Sequence, residues 1–321
     1  MTTVKKPLLN WDEAAGALKK GFAGQIETDR PLSSFNTFGT GGPARLFAEV
    51  RTTEELAKLV QVAHELYIPY FMLGGGSNVL VSDRGYEGLI IKNSIMGLST
   101  EGESITSGAG ERLEDLTNFA AQCALSGLEF ATGIWGTVGG AVYGNAGAYG
   151  ADISTLFESA QLVDRYGNMR EEKMPYFDFS YRYSNLKKTG EFVAKAKFAL
   201  RKGKKESIQA KIDEISALRS ERLPRNEKSA GCFFKNIIDS QAEHGKLPAG
   251  KLLEGVGAKD LHFGGASIFG KHANIIINTG TATSEDIRKL ASILKDRVKE
   301  KFGIELKEEI TYLGQFEEEG L

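Results

Sequence analysis

The sequence predicts an α+β protein with more than one domain, and three observations support this. Its 321 residues are enough for two or three domains that each bury a core. Apolar stripes of helical period are interspersed with short strand-like runs along the chain. Its 38 glycines cluster at 39–42, 74–76, 133–150 and 255–270. Because only glycine leaves room for a close approach, these clusters indicate backbone that lies against a ligand.

The first region, residues 1–96, reads as a small α+β unit. Thr52 to Leu66 is predicted to be a helix, since Thr52 and Glu55 form a capping-box pattern. The apolar stripe of this helix consists of Leu56, Leu59, Val60 and Ala63. The run IPYFMLGGGSNVLVSD then predicts a strand, a glycine turn and a second strand, and another short strand follows at 89–92.

The second region, residues 97–204, contains a predicted helix with Leu113, Leu116, Phe119 and Ala120 facing inward. Cys123 falls close to that stripe, so its expected role is packing. Strands are predicted at 158–164 and 192–200, with a turn at 166–168. The basic run RKGKKES is interpreted as a solvated linker and a domain boundary.

The third region, residues 205–305, opens with a helix whose stripe is Ile208, Ile212, Ile215 and Leu218. A second helix is expected from about Ser284 to Lys301, between Thr283 and Gly303. The closing segment, residues 306–321, includes IELKEEITYLG, which is predicted to continue as an alternating strand carrying Glu309.

Composition excludes several classes of function. The formal charge of −2 gives no basic field that would hold nucleic acid or an anionic membrane. The N-terminus has no apolar run typical of a signal peptide, and nowhere do about 18 consecutive apolar residues occur. Two cysteines far apart in sequence fit a reducing cytoplasm, and the four histidines show no metal-ligand spacing. We therefore expect a cytoplasmic protein, with no bound metal, nucleic acid or membrane.

The first motif is LGGGSNVLV, in which a strand enters three glycines, Gly74, Gly75 and Gly76, followed by Ser77 and Asn78. Successive glycine N–H groups can form a concave anion site, and Ser77 can add a hydroxyl donor, so a nucleotide pyrophosphate is the expected guest. The motif lacks the Gly-Lys-Ser/Thr of a P-loop, and it leads into a strand rather than the helix of a Rossmann fingerprint. A plain tight hairpin is the alternative.

The second motif is GIWGTVGGAVYGNAGAYG, which begins at Gly133. This segment has little side-chain volume, so its backbone can run along a flat ligand with the backbone amides directed at that ligand. The interleaved Ile134, Trp135, Val138 and Val142 argue against the alternative of a disordered segment.

Two further stretches carry side chains suited to chemistry. In FSYRYSNLK, Arg182 lies among aromatic residues that can hold a guanidinium rigidly toward a carboxylate, or it is simply a surface cation stacked on tyrosine. In SAGCFFKN, the thiol of Cys232 is either buried packing or a reactive group.

Taken in this order, the segments SSFNTFGTGGPA, LGGGSNVLVSD, GIWGTVGGAVYGNAGAYG, FSYRYSNLK, SAGCFFKN, GKHANIIIN and FGIELKEEI resemble the UDP-N-acetylenolpyruvoylglucosamine reductases (MurB). The resemblance runs from about Leu32 to the end of the chain. It implies a two-part FAD-binding fold of the PCMH type, followed by a smaller α+β substrate-binding domain. The chain looks like the family's shorter, type II form.

The resemblance also implies the reaction. NADPH reduces non-covalently bound FAD, which then passes the hydride to the methylene carbon of UDP-N-acetylglucosamine enolpyruvate. An acid protonates the resulting enolate and gives UDP-N-acetylmuramate for peptidoglycan synthesis. The expected partner is therefore this small-molecule substrate, and the protein is expected to be a monomer.

Three catalytic residues follow from the resemblance. Arg182 matches the arginine that stabilises the enolate, and Glu309 matches the family's C-terminal glutamate, which would orient the enol acid. Cys232 stands where the family motif SAGSFFKN has its proton-donating serine. A thiol is the stronger acid, so Cys232 is a credible proton donor, although it donates weaker hydrogen bonds and can be oxidised.

The remaining site residues are carried over in the same way. Substrate contacts are expected from Tyr149, Lys235, Asn236, His272 and Asn274. FAD contacts are expected from Asn36, Thr37, Gly74, Gly75, Gly76, Ser77, Asn78, Gly133, Thr137, Gly139, Gly140, Asn145 and Ala148.

Two other functions stay open from the sequence. A flavin oxidase of the same fold, acting on an alcohol or sugar, would often tether FAD through histidine, and no histidine lies in the glycine-rich blocks. A non-catalytic nucleotide-sugar binding protein would contain no flavin, and it would leave the set of Arg182, Cys232 and Glu309 unexplained.

Overall fold

The computed structural model describes residues 10–224, 226–241 and 245–317. His244 and residues 1–9, on which part of the signal-peptide expectation rests, lie outside these ranges. Helices and strands are interspersed throughout, so the α+β class is confirmed. Within the described residues, no helix combines the length and apolarity needed to cross a membrane.

The first region is a four-stranded sheet with helices beside it, in the strand order β1-β2-β5-β3. β1 and β2 are antiparallel, whereas β5 runs parallel to both β2 and β3. The predicted capping box of Thr52 and Glu55 is present at the start of α2, whose predicted apolar stripe is buried. The elements are α1 (Trp11–Gly21), β1 (Ile26–Pro31), β2 (Pro43–Val50), α2 (Thr53–Glu65), β3 (Tyr70–Leu73), β4 (Val79–Val81) and β5 (Tyr86–Asn93).

The second region is built on a five-stranded antiparallel sheet, in the order β12-β11-β13-β7-β6. Cys123 packs against the core of this region, as predicted. The elements are β6 (Leu98–Glu101), β7 (Ser104–Gly108), α3 (Leu113–Gln122), β8 (Leu125–Ser126), α4 (Val138–Gly144), β9 (Gly147–Ala148), β10 (Ala151–Asp152), β11 (Phe157–Val163), β12 (Met169–Lys173), α5 (Leu186–Thr189), β13 (Phe192–Ala199) and β14 (Arg201–Lys202).

The third region has a four-stranded sheet in the order β15-β20-β19-β18, and α8 packs on it. Its core includes Phe38 and Leu80 from the first region, so the two regions share one hydrophobic cluster. The elements are α6 (Lys205–Arg222), β15 (Lys228–Cys232), β16 (Ile237–Ile238), β17 (Lys246–Leu247), α7 (Ala249–Gly255), β18 (His262–Phe263), β19 (Ala266–Ile268), β20 (Ile275–Asn278), α8 (Ser284–Phe302) and β21 (Thr311–Leu313).

The closing strand differs from the prediction. It is only three residues long, β21, and it pairs in parallel with β4 of the first region. Glu309 precedes this strand, and its backbone amide donates instead to the carbonyl of Phe233. The alternation of IELKEE therefore does not reflect a regular strand, because residues 307–309 form only an isolated antiparallel bridge with the segment 233–235, in which Phe234 pairs with Glu308.

Three other expectations need correction. Part of the glycine-rich block forms a short helix, α4, because Val138, Ala141 and Val142 recur at helical spacing and are buried. The expected linker 201–207 instead contains β14 and the start of α6. Leu218 does not continue the stripe of α6, since its side chain is 39% exposed.

The boundaries at 96, 204 and 305 remain predictions. α6 packs on α3 and β8 of the second region, with Ile208 and Ile212 against Ala121. This helix therefore leads from the second sheet to β15, where Cys232 lies.

Candidate active site

The two glycine-rich segments lie directly against each other. A Cβ added at Gly75 would lie 2.9 Å from the Cα of Gly136, and one added at Gly136 would lie 2.7 Å from Ser77 Oγ. Ser77 Oγ donates a hydrogen bond to the carbonyl of Trp135 at 2.9 Å. Gly136 also has a φ of 124°, which a side chain would strain. Glycine is needed here because two backbones meet.

These two segments form a cradle of free backbone donors, made by residues 75–77 and 136–137. In the described part of the chain, none of these five amides donates to a protein acceptor. The side chain of Thr137 is directed elsewhere, since it caps α4 by accepting from the amide of Gly140. Backbone N–H groups without protein partners can bind an anion, so the cradle fits a pyrophosphate group.

The loop of Asn36 and Thr37 borders the cradle. The amide of Thr37 donates to the carbonyl of Gly76 at 3.1 Å, and Thr37 Oγ1 is buried without a partner among the described residues. Asn36 holds the loop itself, because its side chain bonds to the backbone of Leu32, Gly39 and Thr40. The hydroxyl group of Thr37 is thus available to a ligand, whereas the side-chain amide of Asn36 bonds within the protein.

Asn78 joins the cradle to Glu309. Its Nδ2 donates to the carbonyl of Glu309 at 3.0 Å, and its own carbonyl accepts from the amide of Thr311 at 3.0 Å. The pairing of β4 with β21 starts at this point. Asn78 was expected to contact the cofactor, and the structure uses its side chain to fix the backbone of Glu309.

A bulge in β15 precedes the SAGCFFKN stretch. The register against β20 shifts between Ser229 and Cys232, and Gly231 takes a φ of 73°. The irregularity turns the strand so that the next residues, Phe233 and Phe234, are fully buried in the third core. Cys232 is left at the edge of that core.

Asn274 fixes the stretch from the other side. Its Oδ1 accepts from the amide of Phe234 at 2.9 Å, and its Nδ2 donates to the carbonyl of Phe234 at 2.8 Å. Because Asn274 is buried and its amide group is satisfied by backbone, it supports the site from within the protein.

Arg182 lies at the tip of a two-residue hairpin closed by Ser180 and Tyr183, which exchange hydrogen bonds of 3.1 Å. Its Nε is 2.6 Å from Oε1 of Glu309, and the two side chains are 25% and 19% exposed. Tyr181, beside it, accepts from the amide of Asn236 at 3.2 Å. The hairpin therefore brings the predicted cation to the predicted carboxylate.

The buried position of Cys232 keeps its thiol protonated. Burial first, and then the negative charge of Glu309, raise the pKa of Cys232 to about 11, while Arg182 and Arg219 oppose the shift. Burial likewise raises the pKa of Glu309, against the opposing charges of Arg182, Lys235 and Lys187. The three residues predicted to be catalytic therefore interact within one partly buried site.

Arg219 was not foreseen. It lies near the end of α6, and its Nε, buried without a partner in the described ranges, would be 3.0 Å from a Cβ added at Gly133. Burial lowers the pKa of Arg219, against the opposing charges of Tyr149 and Cys232. An arginine in a polar helix has no sequence signal that separates it from a solvated one, so only the fold reveals it. A buried guanidinium whose Nε lacks a partner can donate to an anionic or carbonyl-bearing ligand.

The other expected substrate residues are distributed around this centre. Tyr149 is 54% exposed and interacts with Arg219. The positive charge of Lys235 opposes the rise in the pKa of Glu309. The side chain of Asn236 accepts from the amide of Ala249 at 3.1 Å, which places it at the start of α7.

His272 stands apart. Its Nδ1 accepts from the amide of Asn274, and its electrostatic neighbours are Glu254, Lys259 and Arg222. Burial lowers the pKa of His272, so the ring is neutral at pH 7. No described contact brings it to Cys232.

Three other residues expected at the cofactor make contacts within the protein. Gly139 lies against Ala109, where a Cβ would be 2.9 Å from the Cβ of Ala109. Ala148 pairs with Ala151 in the small β9–β10 ladder. Asn145 is buried, and both polar atoms of its side chain bond to backbone.

Comparisons with known proteins agree with this arrangement. Residues 44–172 match the family model described as an FAD binding domain. Residues 223–313 match the model described as UDP-N-acetylenolpyruvoylglucosamine reductase, C-terminal domain.

Relatives match over most of the chain. A UDP-N-acetylenolpyruvoylglucosamine reductase of Caldicellulosiruptor bescii is 41% identical, over 90% of this chain and 91% of its own, and one of Clostridium novyi is 38% identical, over 91% and 93%. The crystal structure of the corresponding reductase from Thermus caldophilus superposes with a TM-score of 0.75 at 32% identity, and covers 90% of this chain and 98% of its own. The chain belongs to the UDP-N-acetylenolpyruvoylglucosamine reductase family.

Proposed function

We propose that this protein is an NADPH-dependent flavoenzyme that reduces UDP-N-acetylglucosamine enolpyruvate to UDP-N-acetylmuramate. The observation that supports it is the meeting of Arg182, Glu309 and Cys232, three residues from separate motifs, in one partly buried site. The family match points to the same reaction.

The residues present fit FAD. The cradle of free amides at 75–77 and 136–137 suits its pyrophosphate, and Thr37 Oγ1 and Arg219 Nε offer further unpartnered donors. When bound, FAD supplies hydride transfer from NADPH to the enolpyruvyl group. In this proposal Asn36, Asn78 and Asn145 support the cradle and its surroundings instead of touching the cofactor with their side chains.

Arg182 stabilises the negative charge that develops on the substrate. Hydride addition to the methylene carbon leaves an enolate conjugated with the carboxylate, and a permanent cation with several donors lowers the energy of that charge. Glu309 keeps the guanidinium oriented through the 2.6 Å ion pair. A preoriented charge acts without reorganisation during the reaction.

Cys232 donates the final proton. The Sγ–H bond breaks, the proton goes to the carbon beside the carboxylate, and a thiolate remains. The raised pKa ensures that the thiol is protonated before the reaction, and Arg182 and Arg219 are the cations that stabilise the thiolate afterwards. A proton from solvent then restores the thiol.

The setting of the enzyme is also part of the proposal. Cys123 and Cys232 are free thiols, which supports a reducing compartment such as the cytoplasm. Tyr149, Lys235 and Asn236 would bind the nucleotide sugar. The monomeric state remains a prediction.

An anaerobic absorbance titration tests the function. NADPH should bleach the flavin band at about 450 nm, and UDP-N-acetylglucosamine enolpyruvate should restore it without oxygen. A band restored only by oxygen would indicate an oxidase. A protein that binds no FAD, even when FAD is added, would be a nucleotide-sugar binding protein at most.

A further inference from the structure

The backbone of Arg182 is in an unfavourable conformation. Its φ is 55°, in the left-handed region, which is sterically unfavourable for a residue other than glycine. The two hydrogen bonds between Ser180 and Tyr183 close the hairpin but do not fix its direction. A conformation of this kind persists where surrounding contacts hold it.

Asn145 supplies one such contact. Asn145 is only 2% exposed. Its Nδ2 donates to the carbonyl of Ser180 at 3.0 Å, and its Oδ1 accepts from the amide of Ser154 at 3.0 Å. The Ser180 carbonyl also accepts from the amide of Tyr183, so the bond from Asn145 is its one link to a residue outside the hairpin among the described hydrogen bonds, and removing this buried donor would break that link. The entry to the hairpin is therefore fixed to the residue that ends α4.

Ser184 supplies the second contact, just after the hairpin. It is fully buried, and its Oγ donates to the carbonyl of Tyr143 at 2.7 Å. One bond runs from the α4 end to the hairpin, and the other runs back from the hairpin to α4. Two bonds, one on each side of the hairpin, fix the orientation of the hairpin as well as its position, which a single bond would not do.

The attachment point matters because α4 also borders the cradle. Thr137 caps α4, and its amide is one of the free donors of the cradle. The same short helix thus holds the cradle at its start and the Arg182 hairpin at its end. Lys187 adds a contact to the tip, where its Nζ donates to the carbonyl of Arg182 at 2.8 Å.

We propose that Asn145 and Ser184 are positioning residues for Arg182, which fix the hairpin 180–183 to the end of α4 so that the guanidinium stays on Glu309 in its working orientation. This inference rests on the proposed function, in which Arg182 acts only in the reduction of the enolpyruvyl group. It predicts that the two residues affect that step and leave flavin reduction by NADPH unchanged.

The test uses two variants of the full-length, FAD-loaded protein. Ser184→Ala removes one bond without straining the backbone, and Asn145→Asp keeps the shape and the bond to Ser154 while replacing the donor to Ser180. Ser107→Ala is the matched control, because Ser107 is equally buried and its Oγ also donates to a backbone carbonyl, that of Gly108 on β7. Each protein is followed by stopped-flow absorbance in the two half-reactions separately.

We expect the saturating rate of flavin reoxidation by substrate to fall about 3- to 10-fold in Ser184→Ala. In Asn145→Asp it should fall about 10- to 100-fold, since a small displacement of a catalytic group is costly. FAD affinity, the NADPH half-reaction and the substrate Kd, read from the flavin spectrum, should match those of Ser107→Ala. Equal slowing of both half-reactions would overturn the proposal, as would a loss of FAD or substrate affinity that accounts for the effect.

A double-mutant cycle with Arg182→Lys separates positioning from general destabilisation. If Ser184 acts through Arg182, adding Ser184→Ala to Arg182→Lys should produce little further slowing. The same factor in both backgrounds would refute the proposal. A wild-type protein that fails the substrate half-reaction would instead refute the proposed function, before any variant is compared.

Discussion

The side chains of Arg182 and Glu309 meet at 2.6 Å, although one belongs to a hairpin of the second region and the other follows the last long helix. Three backbone contacts hold the Glu309 segment: its amide on Phe233, its carbonyl on Asn78, and the start of β21 on β4. The glycine turn, the Cys232 stretch and the C-terminal segment are thereby joined at one residue. The site is consequently assembled from all three regions of the fold.

Glu309→Gln tests the ion pair. The substitution keeps the shape but removes the charge that holds Arg182, so the substrate half-reaction should slow by about 10²- to 10³-fold, while flavin reduction by NADPH is retained. The charge of Glu309 also raises the pKa of Cys232, so that pKa should fall in the variant. Stopped-flow absorbance of each half-reaction provides the measurement.

Glu308→Gln is the matched control for that variant. Glu308 is the adjacent residue, and its Oε1 pairs with Lys295 at 3.4 Å on the side of α8. It should retain nearly the full rate of both steps. Similar losses in the two variants would show that the effect comes from the stability of the segment instead of the pair with Arg182.

The sequence was sufficient to predict the parts of the fold that have local signals. The capping box of α2, the stripe of α3 and the limits of α8 follow from residue spacing alone. Neither α1 nor α4 was predicted, and in α4 the glycines outweigh a three-residue apolar pattern. Local composition favoured ligand contact where tertiary packing on Ala109 required glycine.

The site was predictable only as far as its ordered motifs. Arg182, Cys232 and Glu309 are brought together as the resemblance implied. The asparagines were harder, because an amide group serves a ligand and a backbone equally well, and nothing in the sequence shows which is nearby. Asn36, Asn145 and Asn274 all bond to backbone. Arg219 was missed because its burial depends on Gly133, 86 residues earlier in the chain and in another motif.

Substitution of Cys232 should separate the two half-reactions. Cys232→Ala removes the proton donor, so NADPH should still bleach the flavin while the substrate half-reaction loses about 10²-fold or more. Cys232→Ser provides a hydroxyl group as the proton donor and should keep much of the activity. Anaerobic single-turnover absorbance measures both. Normal turnover of the alanine variant would show that another group, or water, provides the proton.

The pH dependence of the substrate half-reaction should reveal the shifted thiol. A donor must be protonated, so the step is supported below the pKa of Cys232 and lost as pH rises through about 11. An unperturbed thiol would lose its proton near about 8.5. We therefore expect the rate to stay level from about pH 7 to about pH 10, apart from any change shared by Cys232→Ser. A decline centred near about pH 8.5 in the wild type alone would contradict the environment described for Cys232.

Gly75→Ala should close the cradle. The added Cβ would lie 2.9 Å from the Cα of Gly136, and backbone on both sides leaves no flexible side chain to move away. The two segments would have to separate, which displaces the free amides, so FAD affinity should fall by about 10- to 100-fold. Titration of the apoprotein with FAD, followed by flavin fluorescence, gives the Kd directly.

Gly144→Ala is the control, because Gly144 lies in α4 with nothing within 4 Å of an added Cβ. That variant should bind FAD as the wild type does, and it should be slightly more stable, since alanine favours a helix by up to about 1 kcal/mol over glycine. Equal affinities of Gly75→Ala and Gly144→Ala would mean that the pyrophosphate lies elsewhere.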